Sequence, residues 1–443
     1  MRLPIFKILM LCAVCATVHN TYAQSERLSL VECLERGLEN NYSLRIVRNE
    51  QQAADNNATR ANAGQLPVVS ATAGYGGALS NRSTEAREGG VADERNFLDH
   101  TLTAGINAEW TVFDGFKMQA DYKRLRELKL QSDTQARIAV EDYIAGLTAE
   151  YYNLVQQTIR RRNLNYAVRL SKERLRIVQE RYIIGSNSRL DLQQAQVDFN
   201  ADSAQSLKQN ELLASSRIRL RRLMADNNIG DWLFVADTAI TVAHNLNFDT
   251  LWSATQRHNA AIINAAHNHT LAELDHKSIR SRDYPYVKLS AGYGYSMNQY
   301  AIGSTKVRQE WGADFGLTVG FKLFDGKRKS QVRNARLAVE NAQLEQRDLE
   351  NSLYADMCDL WQAYENNRHL LALERQNLLS ARENYYIAHE RYLLGDLSGI
   401  EMREAQKSLL DAEERLLEAL YDTKICEISL LQISGSITSY LKK

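Results

Sequence analysis

Four histidines near the middle of the sequence are the best candidates for metal ligands by residue type and spacing: His258, His267, His269 and His276. Positions 258, 269 and 276 would share one face of a helix, because spacings of 11 and 7 residues are close to whole numbers of turns. No cysteine and no histidine pair four residues apart completes a tetrahedral ligand set. We therefore expect a solvated histidine face and no bound metal.

Motifs of enzymes are also missing. The sequence has no Gly-x-Ser-x-Gly elbow, no His-Glu-x-x-His pair and no phosphate-binding loop. The run from Gly74 to Gly77 falls inside a predicted strand and opens no helix, so it is not a nucleotide-binding loop. We predict no catalytic residues and no cofactor, and hence a protein that is not an enzyme.

Two similar segments carry acidic side chains just after a tight turn. The segment ERYIIGSNSRLDLQQAQ, Glu180 to Gln196, returns as ERYLLGDLSGIEMREAQ, Glu390 to Gln406. In each copy a glycine suits the left-handed backbone that ends a helix, and a serine with an acid three residues later suits a capping box at the start of the next helix. These residues are Gly185, Ser188 and Asp191 in the first copy, and Gly395, Ser398 and Glu401 in the second.

The repetition extends along the chain. Phe113-Asp114-Gly115 returns as Phe324-Asp325-Gly326, and the proline at position 67 returns at 285. Each half is predicted to contain, in this order, a helix, two strands, a very long helix, a tight turn and a long helix. This order predicts an internal structural repeat, with a first copy at 24–235 and a second at 236–443.

Each repeat contains a predicted β-hairpin, at about 67–113 and about 285–324. Apolar and polar residues alternate there, so each strand has one apolar and one polar face, and its length suits a tilted strand that crosses a bilayer. Polar loops at Leu79 to His100 and Met297 to Gln309 would face the exterior. The alternative is a soluble hairpin with one face on a core. Aromatic side chains favour the membrane, because such residues gather at its interfaces: Tyr75, Trp110, Tyr295 and Trp311.

The predicted helices are unusually long. They span about 115–184 and about 326–394, and shorter helices follow at about 188–225 and about 398–433. At 1.5 Å per residue the longer ones reach about 100 Å. Apolar residues recur at heptad spacing, as in the series Tyr364, Leu371, Leu378, Tyr385 and Tyr392. We expect these side chains to form the packed seam of a coiled coil.

The N-terminus is typical of a signal peptide. A basic start, an apolar run and a Thr-Tyr-Ala cleavage site predict removal of residues 1–23. The remaining chain has 52 basic and 54 acidic residues, so nothing favours a nucleic-acid partner. Three widely spaced cysteines remain, at positions 33, 358 and 426, and we expect them to be buried free thiols.

Four strands cannot close a barrel by themselves. An open sheet edge in lipid leaves unpaired backbone groups, each of which costs several kcal/mol. Eight strands would make a barrel filled by its own side chains, so at least three copies are needed for a channel. The strands therefore predict an oligomer in contact with lipid.

The mature sequence resembles the TolC-like outer-membrane efflux proteins over its whole length, from Leu28 to Arg45 (LSLVECLERGLENNYSLR) to the second RYLLG turn. Tyr42 stands where many members have proline. The resemblance implies an α/β mixed membrane protein, a homotrimer with a twelve-stranded transmembrane β-barrel, four strands per chain. The resemblance also implies that a long α-helical coiled-coil barrel continues the β-barrel into the periplasm.

The implied function is the passive exit duct of a tripartite efflux or type I secretion system. Its implied partners are outer-membrane lipid, a periplasmic adaptor protein and an inner-membrane transporter.

The resemblance also assigns roles to the two turns. It implies a periplasmic gate formed by Asp191, Tyr392, Glu401 and Glu404. Where some members have an arginine, this chain has Leu397, so one closing contact is missing. It further implies that the tips dock the adaptor through Gly185, Ser188, Leu190, Gly395, Ser398 and Ile400.

Two other protein classes are alternatives. A periplasmic adaptor would contain one coiled-coil hairpin with soluble β domains, whereas this sequence has two hairpins with paired strands. A periplasmic hydrolase is disfavoured by the missing catalytic motifs. Neither the cargo nor the pump follows from the residues, because a duct touches its cargo only in passing.

Overall fold

The computed structural model describes residues 27–85, 91–226, 233–243 and 246–442. The predicted signal peptide, 1–23, lies outside the described residues. The chain divides into two compact units. We call them the helical unit, Met1–Arg45, Ala139–Asn259 and Leu353–Lys443, and the sheet unit, Ile46–Ile138 and Ala260–Ser352.

The structure is mixed helix and strand. The strands are β1 (Arg27–Leu28), β2 (Val68–Glu85), β3 (Val91–Phe113), β4 (Phe234–Val235), β5 (Tyr286–Gln299) and β6 (Val307–Gly320). The α-helices are α1 (Leu30–Asn40), α2 (Tyr42–Asn57), α3 (Lys117–Ile183), α4 (Arg189–Leu223), α5 (Phe248–His258), α6 (Ala260–Arg280), α7 (Gly326–Leu394) and α8 (Gly399–Ile433). Short 3-10 helices follow at Ser281–Asp283 and Ile437–Lys442. Among the described residues, no helix combines the length and the apolar character that a membrane span requires.

The sheet unit contains a four-stranded antiparallel sheet in the order β2-β3-β5-β6. Its register places the predicted apolar residues on one face, because residues that are paired across strands point to the same side. One row across the sheet is Ala73, Ala104, Tyr295 and Trp311. On the same face, the rows that contain Ala71 and Val69 are also apolar, and Phe315 on β6 has 91% of its surface exposed.

Several strand boundaries differ from the prediction. The expected loop from Met297 to Gln309 is shorter than predicted, because β5 and β6 stay paired as far as Gln299 and Val307. The expected loop from Leu79 to His100 is mostly strand, because β2 and β3 stay paired as far as Glu85 and Val91. The alternation was missed there because both faces of this ribbon carry polar and charged residues. In the other hairpin β6 stops at Gly320, opposite Tyr286. The preceding residue of β5 is a proline, which has no N–H to continue the ladder.

The opening helix of each half is broken in two at an asparagine. Asn41 and Asn259 both leave the helical conformation, with ψ angles of 125° and 121°. The side chain of Asn41 donates to the carbonyl of Leu223 at 2.9 Å, and that of Asn259 donates to the carbonyl of Ile433 at 2.9 Å. The same contact thus ends α4 in the first half and α8 in the second, since each amide satisfies a carbonyl that the helix leaves unpaired.

Heptad positions form the core of the helical unit, as predicted. Tyr364, Leu371, Leu378 and Tyr392 on α7 are buried, whereas Tyr385 is half-buried. The main hydrophobic cluster lies around Tyr151, where α3 packs with α4 and α8. Cys33 and Cys426 are buried free thiols, but Cys358 is only half-buried, because it lies on the more exposed side of α7.

Candidate functional site

The two turns between long helices have the same backbone geometry. Gly185 and Gly395 adopt φ angles of 82° and 87°. After the first glycine, the Ser186 N–H donates to the Arg181 carbonyl at 2.8 Å, and after the second, the Asp396 N–H donates to the Arg391 carbonyl at 3.0 Å. Glycine is the residue that adopts this left-handed conformation without steric cost, so it ends both α3 and α7.

The helices that follow begin with capping boxes. Ser188 Oγ accepts from the Asp191 N–H at 3.2 Å, and the Asp191 carboxylate accepts from the Ser188 N–H at 3.0 Å. Ser398 and Glu401 make the same pair of bonds at 3.2 and 3.1 Å. These hydrogen bonds to Ser398 hold the pKa of Glu401 below its usual value. Both acids are therefore capping groups of α4 and α8.

Tyr392 is buried at the end of α7, with 2% of its surface exposed. Arg181, from the end of α3, lies over its ring with the guanidinium carbon 5.0 Å from the centroid. Nη2 of Arg181 also donates to the carbonyls of Tyr392 and Leu393, at 2.9 and 3.1 Å. We call α3 with α4 the first helical hairpin and α7 with α8 the second. Arg181 of the first helical hairpin thus caps the last turn of α7 in the second, where unpaired carbonyls attract a cation.

The predicted contact between Asp191 and Tyr392 is not a hydrogen bond in this structure. Within the described residues the Tyr392 hydroxyl has no hydrogen-bond partner. Burial raises the pKa of this phenol. The charges of Arg181 and Arg174 oppose this shift, and the negative charge of Asp191 adds a smaller contribution to it. The carboxylate of Asp191 is occupied by Ser188, which explains why it does not reach the hydroxyl.

A charged network that sequence reasoning missed lies behind the tips. Arg403 of α8 makes a two-point contact with Asp202 of α4, at 2.8 and 2.7 Å. Arg174 of α3 is paired with Asp198, which lies 3.9 Å from Arg403. Burial lowers the pKa of Arg174, whereas the bond to Asp202 raises that of Arg403. The network joins α3 and α4 of the first helical hairpin to α8 of the second.

Large apolar side chains are exposed at both turns. Leu190 and Ile400, which were predicted to dock a partner, have 77% and 76% of their surfaces exposed. Exposed apolar residues that precede the turn glycines were not predicted: Ile183, Ile184, Leu393 and Leu394. The sequence signal that could have identified them is their position just before the glycine that ends each helix. Glu404 is exposed on α8, and no described residue pairs with it.

The four predicted interface aromatics lie on the apolar face of the sheet. Trp110 donates from Nε1 to the Gln65 carbonyl at 3.1 Å. Tyr295 and Trp311 are neighbours, with ring centroids 4.7 Å apart. Tyr75 stacks on His100, one row beyond them. At about 3.3 Å per residue, Trp110 lies roughly 20 to 27 Å along the strands from the other three, which matches an apolar band of about 25 Å.

His258 is the last residue of α5, and His267, His269 and His276 lie on α6. His267 Nδ1 lies 2.7 Å from a carboxylate oxygen of Glu127. No group of three potential metal ligands occurs in the parts of the chain that the structure describes.

The chain matches the outer membrane efflux protein family over residues 33–226 and 251–436. It is 24% identical to the outer membrane protein TolC of Vibrio cholerae, over 93% of this chain and 91% of that protein. Among solved structures, its fold is similar to that of the outer membrane protein VceC of Vibrio cholerae, with a TM-score of 0.74, 16% identity and coverage of 92% and 96%. The Campylobacter jejuni CmeC outer membrane channel gives a TM-score of 0.77, 17% identity and coverage of 92% and 85%.

The chain belongs to the outer membrane efflux protein family. It is an outer-membrane efflux duct of the TolC type, with a helical part in the periplasm. The resemblance predicted from the sequence is confirmed, and the alternative of a periplasmic adaptor is not supported.

Proposed function

We propose that three copies of this chain form a passive conduit, in which their sheets close into one twelve-stranded barrel. The free edges of the sheet support this assembly: among the described residues, no strand pairs with the outer edge of β2 or of β6. An apolar face with unpaired edges is stable in lipid only if the edges pair with further strands. The halves 24–235 and 236–443 act as structural repeats, supported by the asparagine contacts at positions 41 and 259.

Exposed heptad stripes on the helical unit support the same assembly. On α7 they include Leu379 and Tyr386, seven residues apart, and on α4 Val197 and Ile218, three heptads apart. Stripes of exposed apolar residues at intervals of seven are the usual seams between coiled-coil helices. We assign the contact between neighbouring copies to these two stripes, so that the helices surround a continuous bore.

The tips form the gate and the docking site. Asp191, Tyr392, Glu401 and Glu404 line the closing layer, and Arg181 takes over the role of the arginine that Leu397 replaces. Opening loosens the two hairpins against each other, a two-state change that partner contacts bias. The exposed apolar residues of the turns dock a periplasmic adaptor, which connects the duct to an inner-membrane transporter of a tripartite efflux or type I secretion system.

The assembly is tested on purified mature protein in detergent and in planar bilayers. We expect a particle of three chains and stepwise single-channel currents. The double variant Leu379→Glu/Tyr386→Glu should yield monomers without conductance, since carboxylates in an apolar seam are costly to bury. A wild-type chain that is a monomer in water without detergent and gives no current would refute the proposal.

A further inference from the structure

A cavity of about 490 Å³ lies within the helical unit, next to the main core. Its α3 wall comprises Ile159, Arg162, Tyr166 and Arg169, which share one helical face because they are three or four residues apart. Residues of α7 and α8 and the segment at positions 238–240 complete its lining. The volume is within the range of cavities that hold drug-sized molecules.

The floor of the cavity is apolar. Leu417 and Ile240 belong to the cluster around Tyr151, and Leu378 belongs to a second cluster, with Leu409. The cavity is therefore a gap between two packed clusters, lined by the edges of both. Such a floor favours a ligand with an apolar body.

The rim of the cavity is cationic. It carries Arg162, Arg169 and Arg382 against one acid, Glu413, which lies 3.5 Å from Arg382. Within the described chain no side chain pairs with Arg162, and Arg169 contacts only the Tyr166 ring, at 5.7 Å. Arg161, one position earlier, adds a further cation to this stretch of α3: burial, and then the charge of Arg161, lower the pKa of Arg217.

We propose that this cavity binds an amphipathic anion, whose apolar body lies on the leucine floor and whose acid group is held by Arg162 and Arg169. Two unpaired guanidinium groups above an apolar floor match a carboxylate or sulfonate on a hydrocarbon body, because arginine binds such oxyanions by paired hydrogen bonds. A neutral molecule would gain no ion pair with these two arginines, which are exposed to solvent, and a cation would be repelled. This site is independent of the gate at the tips.

The test is calorimetric titration of the full mature chain in amphipol with 8-anilino-1-naphthalenesulfonate. N-phenyl-1-naphthylamine, the same ring system without the acid group, is the matched probe. We expect the sulfonate to bind at one site per chain and the neutral probe to bind at least about tenfold more weakly. Equal affinities for the two probes would overturn the proposal.

Arg162→Gln/Arg169→Gln should weaken sulfonate binding about tenfold or more, as expected when charge-assisted hydrogen bonds are lost. Arg161→Gln is the matched control, because Arg161 is on the same helix but does not line this cavity. An equal loss in the control would show a diffuse basic surface and contradict a built site. Loss of the oligomer with unchanged sulfonate binding would show that the two arginines contact a sister chain, which also contradicts it.

Ala239→Trp keeps every arginine and adds a bulky side chain at a residue that lines the cavity. This variant should abolish binding even if the arginine variants fold poorly, and unchanged binding would refute the location. Displacement of the probe by laurate but not by naphthoate would identify a lipid acyl chain as the source. The reverse would identify a ring-containing exported compound, and displacement by neither would exclude the proposed ligand class.

Discussion

Arg181 and Tyr392 join the ends of two helices that belong to different hairpins. The arginine stacks on the phenol ring and donates to two carbonyls at the end of α7. Its counterpart in the second copy of the turn, Arg391, instead approaches the carbonyl of Asp396 in its own turn, at 3.5 Å. Residues that are equivalent in sequence therefore have different roles at the tips.

Removing this contact should loosen the closed state. We expect Arg181→Gln to raise the single-channel conductance of the resting protein several-fold in planar bilayers, because the last carbonyls of α7 lose their donor. Arg189→Gln is the control, since Arg189 is exposed at the same tip and has no partner among the described residues. An unchanged conductance in Arg181→Gln would rule out this residue as a closing contact.

The carboxylate of Glu404 should set ion selectivity. Glu404 is exposed and unpaired in the described chain, whereas Glu401 is bound to Ser398. Three copies would bring three free carboxylates to one ring, and such a ring attracts cations. We predict that Glu404→Gln lowers the cation-to-anion permeability ratio about twofold, measured from reversal potentials in a salt gradient. Glu383→Gln, an exposed acid elsewhere on α7, should leave the ratio unchanged.

The cap of α8 should be sensitive to pH. Because Ser398 holds the pKa of Glu401 below its usual value of 4.5, the ionised form stabilises the helix start. This stabilisation is complete above pH 4.5 and is lost as the pH falls through the lowered pKa. Ser398→Ala should cost about 1 kcal/mol locally, which appears as about fivefold faster amide hydrogen exchange in the first turn of α8. Ser408→Ala, inside the same helix, should show no such increase.

The two faces of the sheet should respond differently to a charge. Ala291 lies on the apolar face and Ser290, its neighbour on β5, on the opposite face. Ala291→Lys should destabilise the inserted sheet by about 2 to 4 kcal/mol, as for a cation in contact with acyl chains. Ser290→Lys should be tolerated, since Glu109 is its cross-strand neighbour. Urea unfolding from lipid vesicles measures both, and equal effects would contradict a lipid-facing surface.

The turn glycines offer a test of adaptor docking. A Cβ added at Gly185 or Gly395 meets no atom within 4 Å, so a new side chain costs only backbone strain. Gly185→Arg and Gly395→Arg should abolish crosslinking to the adaptor and leave the trimer intact. Gly185→Asn, which tolerates the same backbone without adding charge or bulk, should crosslink normally. Normal crosslinking of the arginine variants would place docking elsewhere.

Local patterns in the sequence predicted much of this fold. Alternation predicted the apolar face of the sheet, and heptad spacing predicted the buried positions of α7. The serine and acid of each capping box were recognisable because their bonds span only three residues. Contacts between distant segments were not predictable in this way. The pair of Arg403 and Asp202 joins residues 201 positions apart, and each reads alone as an ordinary charge on a helix surface.

Because Arg181 and Arg391 make different contacts, the two turns are not interchangeable. The first turn supplies the arginine that crosses over, and the second supplies the helix end that receives it. Exchanging the two turn segments within one polypeptide should therefore impair closure even though it preserves the amino-acid composition. Donor and acceptor therefore depend on each other, and altering either turn alone would leave the other without its partner.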